Sequence, residues 1–176
     1  MQLTWYGHSC FLLTAESGYS ILTDPCGKET GYALHDIVCS AVTVSHDHFD
    51  HNCLSSVSGS PLVIRTPGAH MAGEIPVTGY PTFHDAQKGA QRGSNIVFRY
   101  SIDGLNVVHL GDLGHPLDDA TIQAIGPVDV LLAPIGGKFT IDAKTAAALA
   151  GQLCARVLIP MHYKTDMVDM PIAPVE

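Results

Sequence analysis

Residues 44–51 read VSHDHFDH, and this stretch decides how the rest of the sequence is interpreted. Three imidazoles and two carboxylates fall within six residues, directly after the apolar run Ala41 to Val44, which predicts a strand. Neutral imidazole and carboxylate are ligands that zinc and similar divalent metals accept in proteins. A turn at a strand end can direct alternate side chains to one cation and the others to its neighbour. The stretch therefore predicts a metal site.

The composition predicts an ordinary globular protein. The chain has 176 residues, 46% of them hydrophobic and 15% charged, with a mean hydropathy of +0.19. This length buries one sizeable core and is short for two, so residues 1–176 are predicted to form a single domain. No stretch reaches the roughly 18 apolar residues of a membrane span, and the N-terminus has no signal-peptide pattern. Five cysteines without a CxxC pair favour a reducing compartment. We therefore expect a cytoplasmic protein without a membrane segment.

The charge balance narrows the class of partner. The formal net charge is -8, and only nine lysines and arginines are spread along the chain. Binding to a nucleic-acid backbone needs clustered positive charge. We therefore expect a small-molecule substrate and consider a nucleic acid unlikely.

Short apolar runs alternate with turn residues and predict a strand-rich fold. Two helices are predicted, from Asp118 to Ile125 and from Asp142 to Cys154, and a weaker pattern suggests a third from Pro67 to Gly73. The predicted strands are Leu3 to Tyr6, Cys10 to Thr14, Tyr19 to Thr23, Ala41 to Val44, Pro61 to Ile64, Ser94 to Ser101, Leu105 to Leu110, Val128 to Leu132 and Val157 to Ile159. Strands in both halves, followed by helical segments, predict a four-layer α/β sandwich of two mixed β-sheets with helices on the outer faces.

The sequence HDHFDH after a strand resembles the HxHxDH signature of the metallo-β-lactamase superfamily. Other motifs follow in the order of that superfamily: GHSCFLL at residues 7–13, ILTDP at 21–25, FHD at 83–85, HLGD at 109–112, PIGGKFTIDA at 134–143 and IPMHYKTD at 159–166. The opening is similar to a bacterial subgroup of metal-dependent hydrolases, which is itself similar to the ascorbate-phosphate lactonases. The resemblance covers nearly the whole chain.

This resemblance implies a site for two divalent metal ions and a hydroxide between them that attacks the substrate. Zinc is the first expectation and manganese the next, while iron, cobalt and nickel also suit such donors. The implied ligands are His46, His48 and His84 for the first ion, Asp50, His51 and His162 for the second, and Asp112 bridging the two.

Further residues are expected around these ligands. Asp24 ends a strand and, in the family, supports a ligating side chain from behind. Asp50 is predicted both to bind metal and to hold the proton of the hydroxide. Arg92 and Lys138 lie in flanking loops and are predicted to contact a phosphate or carboxylate of the substrate.

The remaining histidines are assigned less firmly. His8 is left open between a core residue and a site residue. His35, His70, His109 and His115 are interpreted as structural or surface residues, although His115 lies close to Asp112 in sequence.

The leading interpretation is a hydrolase acting on an ester, lactone or phosphoester of a small, anionic metabolite. Four alternatives remain open: an RNA or DNA phosphodiesterase, a thioester hydrolase of the glyoxalase type, a flavodiiron-type redox protein, and a catalytically silent metal-binding scaffold. The flavodiiron site has a glutamate where this chain has His48. A homo-oligomer is a further hypothesis, because little sequence follows His162 to cover a pocket.

Overall fold

The computed structural model describes residues 1–175, which form two β-sheets, a small third sheet and two α-helices. The elements in chain order are β1 (Gln2–Gly7), β2 (Cys10–Thr14), β3 (Ser20–Thr23), β4 (Ile37–Val38), β5 (Ala41–Thr43), β6 (Val57–Ser58), β7 (Leu62–Ile64), β8 (Gly68–Ala72), β9 (Ile75–Phe83), β10 (Ser94–Ile102), β11 (Leu105–His109), α1 (Asp119–Ile125), β12 (Val130–Pro134), α2 (Ala143–Gln152) and β13 (Val157–Met161). Every strand and both main helices predicted from the sequence overlap an observed element.

Both large sheets are mixed. The first has the strand order β1-β2-β3-β5-β7, in which β1, β2 and β3 are antiparallel neighbours and β3, β5 and β7 run parallel. The second has the order β13-β12-β11-β10-β9-β8, in which β11, β12 and β13 run parallel. The strands β8, β9, β10 and β11 are antiparallel neighbours. Consequently β9 points in the same direction as β11, and the ends of β9, β11, β12 and β13 share one edge.

The two sheets pack face to face over an apolar core. Phe11 and Ile21 from the first sheet meet Phe98 and Tyr100 from the second, and all four side chains are buried. The hydroxyl of Tyr100 lies 2.7 Å from Thr43 Oγ1, so the one polar atom of this large side chain has a partner across the interface. The sandwich predicted from the sequence is confirmed.

The outer layers differ between the sheets. Both α-helices pack on the second sheet, where Ile125, Ala146 and Leu149 contact strand residues such as Leu131. Over the first sheet, within residues 1–175, the covering layer consists of 3₁₀ turns at Lys28–Thr30 and Leu54–Ser56 and the parallel pair β4 and β6. Neither α-helix in the described chain is long and apolar enough to cross a membrane.

The predicted helix from Pro67 to Gly73 is wrong, because these residues form β8. The backbone from Gly68 to Ala72 pairs with β9. Burial differs along the strand, since the Ala72 side chain is buried and the Met71 side chain is exposed. The pattern Ala-His-Met-Ala is compatible with either element in isolation. Pairing with the long strand β9 decides the outcome, since helix propensity is a weak prior against tertiary contacts.

Candidate metal centre

The predicted ligands lie just beyond the carboxyl ends of four strands, at one edge of the sandwich. The HDHFDH turn follows β5 of the first sheet, whereas His84, Asp112 and His162 follow β9, β11 and β13 of the second. In α/β folds, functional groups commonly lie at the carboxyl ends of parallel strands. Here both sheets contribute to the same location.

The first ligand group consists of His46, His48 and His84. One ring nitrogen of each lies within 4.8 Å of the others. His46 Nε2 is 3.1 Å from His48 Nδ1, and the ring of His84 lies across both. These three imidazoles are therefore placed to share one cation.

The second ligand group consists of Asp50, His51 and His162. Asp50 Oδ2 lies 3.7 Å from His51 Nε2 and 3.8 Å from His162 Nε2. His8 falls in the same cluster, within 4.8 Å of the other donor atoms. The sequence left His8 open, and the structure places it at the site.

Asp112 lies between the two groups. Its Oδ2 is 3.1 Å from His84 Nε2 of the first group and 3.1 Å from His162 Nε2 of the second, and its Oδ1 is 3.1 Å from His51 Nε2. Two atoms that each lie about 2.1 Å from one tetrahedral zinc ion are roughly 3.4 Å apart. The separations around Asp112 are thus those of ligands around cations, and its two oxygens can serve two ions.

Two buried atoms test whether a metal fits here. His51 Nε2 and Asp112 Oδ1 have no hydrogen-bond partner, although they lie 3.1 Å apart. Unsatisfied buried polar atoms are uncommon and call for a physical reason. A cation bound between these two atoms would supply that reason, because both could act as its ligands.

The charge of the site leads to the same conclusion. Asp24, Asp50 and Asp112 are all buried, and within residues 1–175 their ion pairs are with histidines only. Burial would raise the pKa of Asp112, but His162 and His51 outweigh burial and hold this pKa well below its usual value. Three ionised carboxylates in a buried cluster need positive charge nearby, and divalent cations would provide it.

The protonation of the histidines follows from the same charges. Burial lowers the pKa of His51, but Asp112 and Asp50 reverse this and raise it well above 6.5. Burial, helped by His51, lowers the pKa of His46 to about 3. In the metal-free chain His51 therefore carries the proton that balances the carboxylates, while His46 remains a neutral potential ligand.

Asp24 supports two of the ligands from behind. Its Oδ2 accepts a hydrogen bond from His51 Nδ1 at 2.8 Å and another from Ser45 Oγ at 2.5 Å. Ser45 Oγ in turn lies 2.9 Å from His46 Nδ1. Partners of this kind fix the ring orientation and tautomer of a ligating histidine. Asp24 lies behind His51, and its link to His46 through Ser45 was not predicted.

Asn95 holds Asp112 in place, a role that was not predicted from the sequence. Its Oδ1 accepts a hydrogen bond from the Asp112 backbone at 2.9 Å, and its Nδ2 donates to the Leu110 carbonyl at 2.9 Å. A Cβ at Gly111 would lie 2.3 Å from Asn95 Oδ1, and Gly111 has φ +56°. Glycine is therefore required next to Asp112. Asn95 closes the run GAQRGSN at residues 89–95, and this motif was the available signal.

Two other histidines have structural roles. His109 Nε2 donates to the Ser9 carbonyl at 2.9 Å, and its Nδ1 accepts from Gly111 N at 3.1 Å. His115 Nδ1 donates to the Pro116 carbonyl at 2.7 Å, and its Nε2 accepts from Phe83 N at 3.2 Å. Both rings use both nitrogens for backbone contacts, so neither is available as a ligand.

Five of the seven predicted ligands line a cavity of about 380 Å³, namely His48, Asp50, His84, Asp112 and His162. Its walls are largely apolar, and Arg92 is the cation among the lining residues. The Lys138 ammonium lies 5.6 Å from the Phe139 ring, which Arg92 also contacts at 5.4 Å, but Lys138 is outside the lining. The sequence did not predict the apolar lining residues, which are Phe49, Phe139, Met170 and Pro171.

The chain is similar to several known proteins. Residues 2–162 match the family model described as the β-lactamase superfamily domain. A UPF0173 metal-dependent hydrolase from Methanoregula boonei is 34% identical, over 94% of this chain and 83% of the relative. A solved structure from Thermotoga maritima, described as a Zn-dependent hydrolase of the metallo-β-lactamase superfamily, is 41% identical, with a TM-score of 0.82, over 98% of this chain and 80% of that one. A metallo hydrolase from Ignicoccus hospitalis, 22% identical over 96% of this chain and 85% of its own, shares the fold with a TM-score of 0.72.

The match of the family model to nearly the whole chain agrees with the sandwich fold and with the HxHxDH turn at its edge. The chain therefore belongs to the metallo-β-lactamase superfamily, within the group of UPF0173 metal-dependent hydrolases.

Proposed function

We propose that this chain hydrolyses an ester, lactone or phosphoester bond of a small, anionic metabolite with the help of two divalent metal ions. One observation carries the proposal: two groups of potential ligands lie on either side of Asp112, and members of both groups line a cavity large enough for a small molecule. The names of the relatives support the reaction class, and the one from Thermotoga maritima names zinc.

We propose the following ligands for each of the two ions. His46, His48 and His84 would hold one ion, Asp50, His51 and His162 the other, and Asp112 both. Bound divalent ions would supply a water activated near neutral pH and would polarise the bond under attack. Donors that are mostly imidazole favour zinc, with manganese next, and iron, cobalt or nickel also fit.

Asp50 is the proposed proton carrier. It lines the cavity, and its Oδ2 faces the second ligand group and His8. Burial would raise the pKa of Asp50, but His51 and His8 hold it below its usual value, so the carboxylate is ionised and accepts a proton. We propose that it holds the proton of the attacking water and passes it to the leaving group.

Arg92 is the proposed anion contact. It is the cationic side chain of the cavity lining, which it shares with the apolar side chains of Phe49, Phe139, Met170 and Pro171. A guanidinium beside an apolar wall favours a substrate with one carboxylate or phosphate and an apolar portion. Lys138 is proposed only as an outer contact, since it does not line the cavity.

The proposal includes a reducing compartment, the cytoplasm, because the chain has an odd number of cysteines and no CxxC pair.

The first test is the metal content of the purified chain, grown without added metal. We expect about two ions per chain in the wild type and fewer in Asp112→Asn, with Asp47→Asn as the matched control. Asp47 lies in the same turn but is exposed and pairs with Arg65. A folded wild-type chain that binds no zinc or manganese would refute the proposal.

The second test is turnover of lactones, phosphodiesters and thioesters by the metal-loaded chain. We expect activity on one class, a loss of at least about a hundredfold in Asp50→Asn, and little change in Asp47→Asn. An Asp50→Asn variant with both ions and full turnover would rule out the proton role. Absence of turnover with both ions bound would favour the scaffold alternative.

A further inference from the structure

His8 is a buried side chain that the proposed reaction does not use. It lies in the turn between β1 and β2 and is 2% exposed. Its Nε2 is 3.3 Å from Oδ2 of Asp50, a residue 42 positions away in sequence. Its ring lies 4.2 Å from that of His162, so the second ligand group is in contact with it on two sides.

The turn that carries His8 is strained and firmly anchored. His8 has φ +51°, a conformation that residues with a side chain seldom adopt, and strand pairing is irregular between Trp5 and Gly7. Trp5 Nε1 donates to the His8 carbonyl at 3.1 Å. His109 Nε2 and Thr23 Oγ1 donate to the Ser9 carbonyl at 2.9 and 3.1 Å. Strain that is held by so many contacts is typical of a functional position.

The number of metal ligands available distinguishes two roles for His8, that of a further ligand and that of a hydrogen-bond donor to Asp50. The second ligand group and Asp112 already provide four protein ligands, one more than the three that typically accompany a water in a catalytic zinc site, so His8 would be a fifth. Its distance to Asp50 Oδ2 is the shortest that this oxygen makes to the surrounding imidazoles. A hydrogen bond from Nε2–H to the carboxylate uses this contact and leaves only an acceptor, Nδ1, without a partner.

We propose that His8 is a positioning residue of the metal centre, whose Nε2–H donates to Asp50 Oδ2 and fixes the orientation of that carboxylate toward the second ligand group. The role rests on the proposed function, since it presupposes an ion there. Loss of such an outer hydrogen bond typically weakens metal binding by about 10- to 100-fold. The effect falls on one ion, because His8 lies outside the first ligand group.

The test compares His8→Met and His8→Gln by titrating the metal-free full-length chain with Co²⁺, followed by visible absorption and by competition with a chelator. Methionine keeps the bulk of the side chain without an N–H, whereas the amide of glutamine offers a donor near the position of Nε2. We expect His8→Met to weaken one of two binding steps by about 10- to 100-fold and His8→Gln to restore most of it. The exposed His35, changed to Met, is the matched control.

Equal losses in His8→Met and His8→Gln, or no loss in either, would overturn the positioning role. If His8→Met does not fold, His8→Asn replaces it, because its shorter amide does not reach Asp50. An Asp50→Asn background provides a second measurement, in which removing His8 should add little to the loss. Failure of the wild type to bind two ions would instead count against the proposed function.

Discussion

At the scale of single residues, Asp24 links the two ligand groups without belonging to either. Its carboxylate accepts a hydrogen bond from His51 Nδ1 and another from Ser45 Oγ, and Ser45 Oγ in turn contacts His46 Nδ1. Burial would raise its pKa, but His109 and His51 outweigh burial and keep it below its usual value. The residue is thus held as an anion that orients one imidazole from each group.

We expect Asp24→Asn to weaken binding of both ions, by about 10- to 100-fold for the more affected one. The amide presents an N–H on one side and no longer accepts from all of its present donors. The measurement is chelator competition on the folded chain, with Asp129→Asn, which pairs with Arg156 away from the site, as the control. Unchanged affinity would mean that the ligands are oriented by packing alone.

The buried histidines predict how pH affects the metal-free chain. Burial holds the pKa of His46 at about 3 and that of His8 at about 4, whereas both are 6.5 without the fold. Between pH 6.5 and about 4 the unfolded chain binds more protons, so the free energy of unfolding falls as the pH is lowered. His51, with its raised pKa, is protonated in the folded state throughout this window and half protonated in the unfolded state at pH 6.5, so it opposes the trend only near the upper end of the window and by less than the two neutral histidines contribute.

The measurement is urea unfolding of the metal-free chain at pH 6.5 and 5.0. Each histidine contributes at most about 1.4 kcal/mol per pH unit, and His46→Gln should show a shallower dependence. A free energy of unfolding that increases toward pH 5.0 would contradict the assignment.

The candidate ligands were predicted from sequence because their motifs resemble those of the metallo-β-lactamase superfamily. No knowledge of packing was needed to identify the three histidines and Asp50 of HDHFDH, His84, Asp112 and His162. The structure brings all of them together. Ser45, Asn95 and the apolar cavity walls were not predictable in this way. Their roles arise from contacts between segments far apart in sequence, and serine, asparagine and phenylalanine have many ordinary uses.

At the scale of elements, the loop from Asp85 to Gly93 positions the predicted substrate contact. The Asp85 carboxylate accepts hydrogen bonds from four backbone N–H groups, those of Gln87, Gly89, Gln91 and Arg92. These backbone donors overcome the effect of burial and lower the pKa of Asp85 to about 2. One side chain therefore organises the loop that carries Arg92.

We expect Asp85→Ala to raise KM for an anionic substrate about tenfold, as Arg92→Ala should, because a charge-assisted hydrogen bond contributes roughly 1.5 kcal/mol. The metal content and the KM for a neutral ester should change little. Lys138→Ala serves as the comparison for a cation outside the lining. A loss of bound metal in Asp85→Ala would show that the loop supports the ligands instead.

Helix and strand predictions succeeded where local signals were strong. Asp118 and Asp142 begin the two predicted helices, and each accepts a hydrogen bond from the backbone N–H three residues later, as an N-cap does. Strand β9 was missed because Pro76, Gly79 and Pro81 interrupt its pattern. It forms nonetheless, since pairing with β10 on one side and β8 on the other compensates for the poor local propensity.

At the scale of the whole molecule, metal removal should destabilise the fold. A ligand that binds only the folded state stabilises it by about 4 kcal/mol when its free concentration is 1,000 times its Kd. For a chain of this size that corresponds to roughly 10 °C in Tm. We expect EDTA to lower Tm, zinc to restore it, and Asp112→Asn to gain less from zinc. Equal melting with and without metal would contradict a preformed centre.

The spread of the ligands along the chain has a consequence for synthesis. Residue 46 leaves the ribosome more than a hundred positions before residue 162, and the strands that carry the two belong to different sheets. The nascent HDHFDH segment is therefore exposed for most of translation without the partners that make it selective. Metal acquisition should follow the closure of the sandwich, and an ion captured earlier by the turn alone would be held loosely enough to exchange.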